Sequence, residues 1–308
     1  MGTIRKRKIR IKWKNLISLL VFTFLLIFGI TEIVICIGKV ISSPKEKKVE
    51  IKVKKKNNEE KNKAKLEKLN NINENIDYFN NDYIDRYILY KEKNKDLDDK
   101  QIIKDVNMNL DYEPYTNIVK SKHLNTNKII VNKYYALEEN YVPNDLETIS
   151  KQYALDGMEL VKEAKEAFEN MAKDAKKENL NIIAMSTYRS YNYQIKIYNQ
   201  YVKADGKEKV DTYSGRPGHS EHQTGLAVDV YNGKVNYTKF EETKEFVWMK
   251  EHASEYGFIL RFPKDKEKET GYMYESWHYR YVGQNEAKYI KEHNISFEEY
   301  YATKIKDW

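Results

Sequence analysis

The amino-acid sequence predicts an α+β fold preceded by one transmembrane helix. Three features support this prediction: an apolar run near the amino end, a charged spacer after it, and then helical and strand patterns that mix without a regular βαβ alternation. The 308 residues are enough for one or two domains with a sizeable core. The 13% aromatic content excludes a wholly disordered chain, and 12 glycines and 5 prolines exclude collagen-like and proline-rich classes.

The amino end is predicted to be a signal anchor. Residues 1–14 contain seven basic residues and no acidic one, and residues 15–38 contain an apolar run of 22 residues, Leu16 to Ile37, whose only charge is Glu32. Such a run crosses about 30 Å of hydrocarbon as a helix. Because basic residues stay on the cytoplasmic side, we expect a cytoplasmic tail, a single-pass helix in the cell membrane and an extracellular remainder. The two serines at positions 42 and 43 leave a cleaved signal peptide as the alternative.

The positive charge belongs to the tail and to a spacer. Residues 39–76 are rich in Lys, Asn and Glu and are predicted to be flexible, and residues 77–308 are predicted to form the extracellular domain. The chain carries +7 overall, but residues 69–308 carry about −6, so the folded part lacks the basic surface of a nucleic-acid-binding protein. Cys36 is the only cysteine of the chain, so the exported part has no intramolecular disulfide.

Hydrophobic periodicity predicts the elements of the domain. Aromatic and aliphatic residues recur every three or four positions from Tyr78 onward, which predicts helix, and residues 149–178 carry the strongest helical pattern of the chain. The other predicted elements, in order, are a strand at Lys128 to Val131, a strand at Asn181 to Ser186, a helix at Tyr191 to Lys203, a strand at Leu226 to Tyr231, a helix at Thr243 to Tyr256 ended by Gly257, strands at Phe258 to Arg261 and Trp277 to Tyr281, and helices at Glu286 to Glu292 and Ser296 to Ala302.

Two of the six histidines stand in motifs that contain carboxylates. The segment SEHQTGLAVD leads from His222 through a glycine turn into an apolar strand that carries Asp229, and ESWHYR places Glu275 three positions before His278. Two histidines and one aspartate are a suitable ligand set for catalytic zinc, and a carboxylate outside the set can accept a proton from the activated water. Residues three apart on a regular strand face opposite sides, so Glu275 and His278 converge only if Glu275 lies in a loop or at a bulge. The alternative is a buried Asp229 beside two core histidines.

The other candidate residues have plainer interpretations. Arg189 follows a predicted buried strand and is well placed to reach a cleft, where a guanidinium pairs bidentately with a carboxylate. His219 is expected to shape its loop, and Arg216 is equally compatible with substrate support and with solvent exposure. Residues expected in the core, at a pocket wall or at the surface are Trp277, Tyr279, His123, His252 and His293.

Three segments together resemble the LAS-type zinc peptidases. They are Tyr188 to Tyr191 (YRSY), Pro217 to Asp229 (PGHSEHQTGLAVD) and Trp277 to Arg280 (WHYR), and they are most similar to the VanY-type D-alanyl-D-alanine carboxypeptidases. The resemblance covers residues 150–295 firmly and residues 76–150 more loosely, and it does not extend to the membrane run or the spacer. It implies a metallopeptidase domain with a small antiparallel sheet flanked by helices. Thr187 stands where the family has glycine.

The resemblance also implies a role for seven residues. It places one zinc ion per chain on His222, Asp229 and His278, with other divalent ions remaining open. It makes Glu275 the general base and then the proton donor to the leaving amine. It makes Arg189 the group that binds the terminal carboxylate of the substrate, with further substrate contacts from Gln194 and Ser220.

The function implied is that of a membrane-anchored zinc D,D-carboxypeptidase. It would hydrolyse the terminal D-Ala-D-Ala bond of peptidoglycan stem peptides, with the membrane and the stem peptide as partners and no nucleic acid. Two alternatives stay open: an L,D-carboxypeptidase acting on tetrapeptide stems, and a non-catalytic peptidoglycan-binding module. The intact Glu275 argues against the second, because a binder needs no base. The oligomeric state is left open by the sequence.

Overall fold

The computed structural model describes residues 76–307. The predicted cytoplasmic tail, membrane helix and nearly all of the predicted spacer lie outside these residues, so the boundaries proposed for them stay predictions. Within residues 76–307, no helix is both long enough and apolar enough to cross a bilayer.

Helices and short strands mix along the domain, as the α+β prediction requires. The helices are α1 (Ile84–Lys93), α2 (Asp99–Asn107), α3 (Lys162–Lys177), α4 (Tyr191–Asp205), α5 (Lys207–Val210), α6 (Lys244–His252), α7 (Glu267–Thr270), α8 (Gln284–His293) and α9 (Phe297–Tyr300). The strands are β1 (Val119–Lys120), β2 (Tyr135–Ala136), β3 (Leu146–Thr148), β4 (Glu159–Val161), β5 (Ile183–Ser186), β6 (Ala227–Tyr231), β7 (Phe258–Leu260) and β8 (His278–Tyr281). Short 3-10 helices cover Asn81–Tyr83, Glu221–Thr224, Tyr237–Glu242 and Ala253–Tyr256, and a π-helical turn covers Tyr301–Ile305.

A four-stranded antiparallel sheet is the centre of the domain. Its strand order is β5-β6-β8-β7, and β3 and β4 form a separate antiparallel pair. The register pairs Asp229 on β6 with His278 on β8 and with Ser186 on β5. Directly opposed residues of an antiparallel pair have neighbouring side chains, so the pairing brings an aspartate and a histidine together. The structure confirms the predicted small antiparallel sheet flanked by helices.

The main core lies around this sheet and helix α3. Phe168, Met171 and Ala175 on α3 are fully buried, and the ring of Phe168 meets the edge of Phe258 on β7 with centroids 6.2 Å apart. The apolar face of α3 recurs every three or four residues, which is why this helix is fixed by packing more than by capping. The sheet that carries the chemistry is therefore supported from behind by close packing.

Two of the sequence-based assignments are wrong, one in part and one entirely. The helix predicted at residues 149–178 starts only at Lys162, because residues 146–161 form the β3–β4 hairpin with Gly157 at positive φ in the turn. The strand predicted at Lys128 to Val131 does not form. Its apolar residues are buried, but the backbone carbonyls of Ile129 and Ile130 accept hydrogen bonds from the side chains of Arg280 and Ser121 instead of a neighbouring strand.

Gly257, where the predicted helix end is confirmed, offers a test of the packing around β8. Its φ is +83°, and a Cβ there would lie 2.7 Å from Cε2 of Tyr281 and 3.1 Å from the carbonyl carbon of Gly283. We expect Gly257→Ala to lower the free energy of unfolding by about 2–4 kcal/mol, since left-handed strain and overpacking add. Gly157→Ala is the matched control, because Gly157 has φ +75° and no described residue places an atom within 4 Å of its Cβ position. In urea unfolding, Gly157→Ala should lower the free energy of unfolding by only the strain cost of about 1–2 kcal/mol. Equal losses of unfolding free energy in the two variants would contradict the packing argument.

Candidate metal centre and active-site cleft

Three buried side chains converge at one end of the central sheet. His222 comes from the 3-10 helix Glu221–Thr224, Asp229 from the middle of β6, and His278 from the first position of β8. One ligand atom of each residue lies within 4.8 Å of the others. The Nε2 atom of His222 is 3.3 Å from one Asp229 oxygen, and Nδ1 of His278 is 3.0 Å from the other. The structure thus brings together the three residues that the sequence offered as ligands.

The ring of His222 is held with one nitrogen free for a metal. Its Nδ1–H donates to the carbonyl oxygen of Thr187 at 2.7 Å, which leaves the lone pair of Nε2 directed at the cluster. Burial, together with the nearby charge of Arg189, lowers the pKa of His222 to about 4. The imidazole is therefore neutral at physiological pH, which is the form that binds metal ions.

The cluster fits a divalent cation. Asp229 Oδ1 is buried and, within the described part of the chain, has no hydrogen-bond partner, although it lies beside His278. Burial by itself opposes ionisation of Asp229, but His278, whose Nδ1 lies 3.0 Å away, holds its pKa well below the ordinary value, so the group is a carboxylate. Two imidazole nitrogens and a carboxylate oxygen are the donor types that zinc accepts in sites with an open fourth position. The residues present are thus suitable for zinc.

Glu275 lies in the loop before β8, as its convergence with His278 requires. Its backbone N–H donates to the carbonyl oxygen of Phe262 at 3.1 Å, and its Oε2 lies 3.7 Å from Nδ1 of His278. Burial raises the pKa of Glu275 to about 8. A buried carboxyl group beside the cluster, outside the ligand set, has the position of a proton acceptor.

Arg189 lies on the other side of Asp229. It follows β5, its NH1 donates to Ser186 Oγ at 3.0 Å, and the same nitrogen is 3.9 Å from Asp229 Oδ2. Its Nε is buried and has no hydrogen-bond partner within the described residues, so the guanidinium, which lines the cleft, keeps an unused donor. Desolvation lowers the pKa of Arg189, but a guanidinium stays charged.

Gln194 and Ser220, the other two predicted substrate contacts, have different surroundings. Ser220 lines the cleft just before the 3-10 helix Glu221–Thr224. Gln194 is buried on α4 behind the cleft wall, where its Nε2 donates to the carbonyl oxygen of Gly215 at 2.7 Å. In the structure Gln194 thus fixes the turn at Ser214 and Gly215. A contact between Gln194 and substrate stays a prediction.

The remaining histidines behave as the sequence suggested. The Nδ1–H of His219 donates to the carbonyl oxygen of Asn132 at 2.7 Å, which fixes the loop before the motif. His123, His252 and His293 lie away from the cleft, against Asp307, Glu255 and the ring of Tyr289 respectively.

Other candidates of the motif divide between cleft and core. Trp277 lines the cleft, with its ring edge-on to Tyr237, and Tyr279 is buried in the core. Arg216 forms a bidentate pair with Asp211 and stacks on Tyr115, so it does not face the cleft.

A cleft of about 960 Å³ contains the cluster in its lining. Besides the residues above, its walls are rich in aromatic side chains, namely Tyr188, Tyr193, Tyr201, Tyr213 and Tyr237. This volume can accept a short peptide whose end reaches the cluster.

Sequence reasoning missed a buried charge network behind the cluster. Glu221, Arg261, Arg280 and Glu298 are all buried and joined by hydrogen bonds. One signal for Arg280 was available: residues two apart on a strand face the same side, so Arg280 on β8 points to the side of His278. Glu221, Arg261 and Glu298 come from other parts of the fold, so the network forms only through tertiary contacts.

Comparison with known proteins agrees with this geometry. A family model described as VanY: D-alanyl-D-alanine carboxypeptidase matches residues 157–284. The Bacillus subtilis protein YodJ is 42% identical over 185 residues, which are 56% of this chain and just under two thirds, 66%, of that protein. An Enterococcus faecium protein named D-alanyl-D-alanine carboxypeptidase is 32% identical over 236 residues, or 72% of this chain and 74% of the relative.

Two solved peptidase structures are also similar to this chain. The LdcB LD-carboxypeptidase is 36% identical with a TM-score of 0.56, and the match covers 62% of this chain and 92% of that chain. The vancomycin-resistance D,D-pentapeptidase VanY from a VanB-type cassette, solved as a point mutant with Zn(II), is 31% identical with a TM-score of 0.50, covering 56% of this chain and 98% of that chain.

A small antiparallel sheet that joins two histidines and an aspartate beside a buried glutamate fits the class of zinc metallocarboxypeptidases, and the similar VanY structure was solved with Zn(II). The identity to the Enterococcus faecium relative, over most of both chains, then fixes the family. The chain belongs to the VanY family of D-alanyl-D-alanine carboxypeptidases.

Proposed function

We propose that this protein is a zinc D,D-carboxypeptidase that hydrolyses the terminal D-Ala-D-Ala bond of peptidoglycan stem peptides. The observation that carries the proposal is the convergence of His222, Asp229 and His278 in one cleft with Glu275 and Arg189. A carboxypeptidase needs a metal site, a proton carrier and a group that binds a free carboxylate, and these five residues supply all three.

In this proposal His222, Asp229 and His278 hold one zinc ion per chain. When bound, zinc supplies an activated water and polarises the scissile carbonyl. The buried position of the ligands excludes bulk water, so the electrostatic interactions within the site are stronger than in solvent.

Glu275 is proposed to carry the proton. Its carboxylate accepts a proton from the attacking water and returns it to the amine of the departing D-alanine. In the metal-free chain burial raises the pKa of Glu275 to about 8, which favours the protonated form at neutral pH. A nearby cation favours the carboxylate, so metal binding and activation of this base act together.

Arg189 is proposed to bind the terminal carboxylate of the substrate. Arg189→Lys keeps the charge but loses the planar fork. We expect kcat/KM for a D-Ala-D-Ala peptide to fall about 10- to 100-fold, mainly through KM, because a charge-assisted hydrogen bond of about 1.5–3 kcal/mol is lost. Kinetics should be compared on the free acid and on the same peptide with a C-terminal amide.

The amide peptide provides the control for this prediction. The wild-type protein should have a much higher kcat/KM on the free acid than on the amide, and Arg189→Lys should reduce the ratio of these two values. If kcat/KM of the variant falls by the same factor on both peptides, Arg189 does not bind the terminal carboxylate.

An L,D-carboxypeptidase acting on tetrapeptide stems is the second candidate. It is favoured by the match to the LdcB LD-carboxypeptidase, whose identity and TM-score both exceed those of the zinc-bound VanY structure. Both reactions use the same metal, base and carboxylate clamp, and they differ in the configuration of the residue that donates the scissile carbonyl.

Mass spectrometry of two purified stem peptides separates these candidates. The full-length protein is incubated with a pentapeptide ending in D-Ala-D-Ala and, separately, with the tetrapeptide. Loss of one alanine from the pentapeptide at a much higher kcat/KM supports the D,D assignment, and preferential loss from the tetrapeptide moves the assignment to L,D. Peptide binding without cleavage of either would favour the non-catalytic wall-binding module.

We also propose that the enzyme works outside the cell, anchored in the cell membrane by its N-terminal apolar run. The basic tail before this run and the peptidoglycan substrate both support this orientation. Protease added to intact protoplasts should remove the catalytic domain, and protection of the domain would contradict the orientation.

A further inference from the structure

His278 has one ring nitrogen that faces away from the metal cluster. Its Nδ1 lies 3.0 Å from Asp229 and 3.7 Å from Glu275, so this nitrogen is the one directed at the cluster. Its Nε2 is buried and has no hydrogen-bond partner among residues 76–307. The facing atom is Oε2 of Glu221 at 3.6 Å, which is likewise buried and without a hydrogen-bond partner in the part of the chain that the structure describes. Two buried polar atoms, a donor and an acceptor, thus face each other just beyond hydrogen-bond distance.

The carboxylate of Glu221 is fixed from its other side. Its Oε1 accepts from Nε of Arg261 and from NH1 of Arg280, each at 2.9 Å. Both arginine side chains have no exposed surface. Arg261 also pairs with Glu298 on α9, with bonds of 2.8 and 2.5 Å. Glu221 is therefore a buried carboxylate held by two hydrogen bonds in a network that balances two acids against two guanidinium groups.

We propose that Glu221 is the positioning residue for the metal ligand His278. Its Oε2 accepts the Nε2–H of the ring, which keeps the proton on Nε2 and the lone pair on Nδ1, where the metal binds. This inference rests on the proposed metal site. A ligating histidine commonly donates its second nitrogen to a carboxylate or carbonyl, and such an acceptor sets the tautomer and strengthens the ligand.

The two histidine ligands are positioned by different acceptors. His222 donates to a neutral backbone carbonyl, that of Thr187, whereas His278 faces a carboxylate held by two arginines. The charged acceptor makes the imidazole of His278 the more basic ligand of the two. The network also connects this ligand to Glu298 near the carboxyl end of the chain.

The test compares Glu221→Gln with Glu298→Gln in the full-length protein. Both substitutions remove one negative charge from the same network, but only Glu221 faces His278. An amide at position 221 must turn its NH2 toward the ring N–H or toward the arginines, so one interaction becomes donor against donor. We expect the zinc affinity of Glu221→Gln, measured by competition with a chromogenic chelator, to fall about 10- to 100-fold.

Two further readouts distinguish positioning from plain stability. The visible absorption bands of the cobalt(II)-substituted protein should shift in Glu221→Gln and stay unchanged in Glu298→Gln. Urea unfolding of the metal-free proteins should show a loss of stability in both variants. Glu221→Asp keeps the charge between the arginines but withdraws the carboxylate from His278. This variant should therefore still fold, and its zinc affinity should be lower than that of the wild type.

The outcomes separate this inference from the proposed function. If the wild type binds zinc and both glutamine variants bind it with equal affinity, Glu221 does not position His278. A zinc affinity of Glu221→Asp equal to that of the wild type would overturn the inference in the same way. If the wild type binds no zinc, the proposed metal site itself fails and the inference fails with it.

Discussion

Glu275→Gln is expected to lower kcat about 10²- to 10⁴-fold while the protein still binds zinc. The amide occupies the same volume but cannot accept a proton from the attacking water or return one to the leaving amine. The side chain lies 3.7 Å from a ligand nitrogen without belonging to the His–Asp–His set, so its replacement leaves the ligands in place. The measurement is the steady-state rate of alanine release together with the zinc content of the same sample.

Glu255→Gln provides the matched control for this variant. Glu255 is exposed in the 3-10 helix after α6, outside the cleft, and within residues 76–307 its ion-pair partner is His252 at the end of α6. Its replacement should leave both rate and zinc content at wild-type values. A Glu275→Gln protein that retains more than about a tenth of the wild-type rate would show that Glu275 is not the proton carrier.

Asp229→Asn is expected to have the larger effect, with loss of both metal and activity. The amide is a poor zinc ligand, and the substitution also removes the negative charge between His222 and His278. We expect zinc content to fall from about one ion per chain to a small fraction, and the rate to fall at least as far as in Glu275→Gln, because water activation and carbonyl polarisation are lost together. Metal analysis after dialysis and the alanine-release assay measure the two effects.

The exposed Asp156 in the β3–β4 turn supplies the control for the aspartate. It pairs with Lys151 at the surface, and Asp156→Asn should retain zinc and activity. If Asp229→Asn kept stoichiometric zinc at wild-type affinity, the metal would have to be bound elsewhere.

The sequence was informative where a pattern is local. The glycine turn and apolar strand around Asp229 predicted β6, and the spacing of Glu275 and His278 required a loop or a bulge, of which the structure shows the loop. Helix α3 was recognised by its apolar periodicity, but its start was placed too early. Ala154 and Met158 happen to continue the helical spacing, whereas Gly157 at positive φ turns this segment into a hairpin.

Features that depend on distant contacts were not predictable in this way. Ile129 to Val131 have the composition of a strand, yet Arg280 takes the carbonyl of Ile129 that a neighbouring strand would need. The sequence around Glu221 and Glu298 gave no sign that these charges are buried. Their shared partner Arg261 lies 40 residues from Glu221 and 37 residues from Glu298 along the chain. Such networks follow from the packing of α9 and the sheet, which a single sequence does not reveal.

The central claim is that a metal ion in the His222–Asp229–His278 site drives cleavage of a stem peptide. The most direct measurement is mass spectrometry of a D-Ala-D-Ala pentapeptide incubated with the full-length protein as purified, after chelation, and after chelation followed by one equivalent of zinc. We expect loss of one alanine in the first sample, none in the second and restored loss in the third. Cleavage at an undiminished rate by the fully chelated protein would contradict the account.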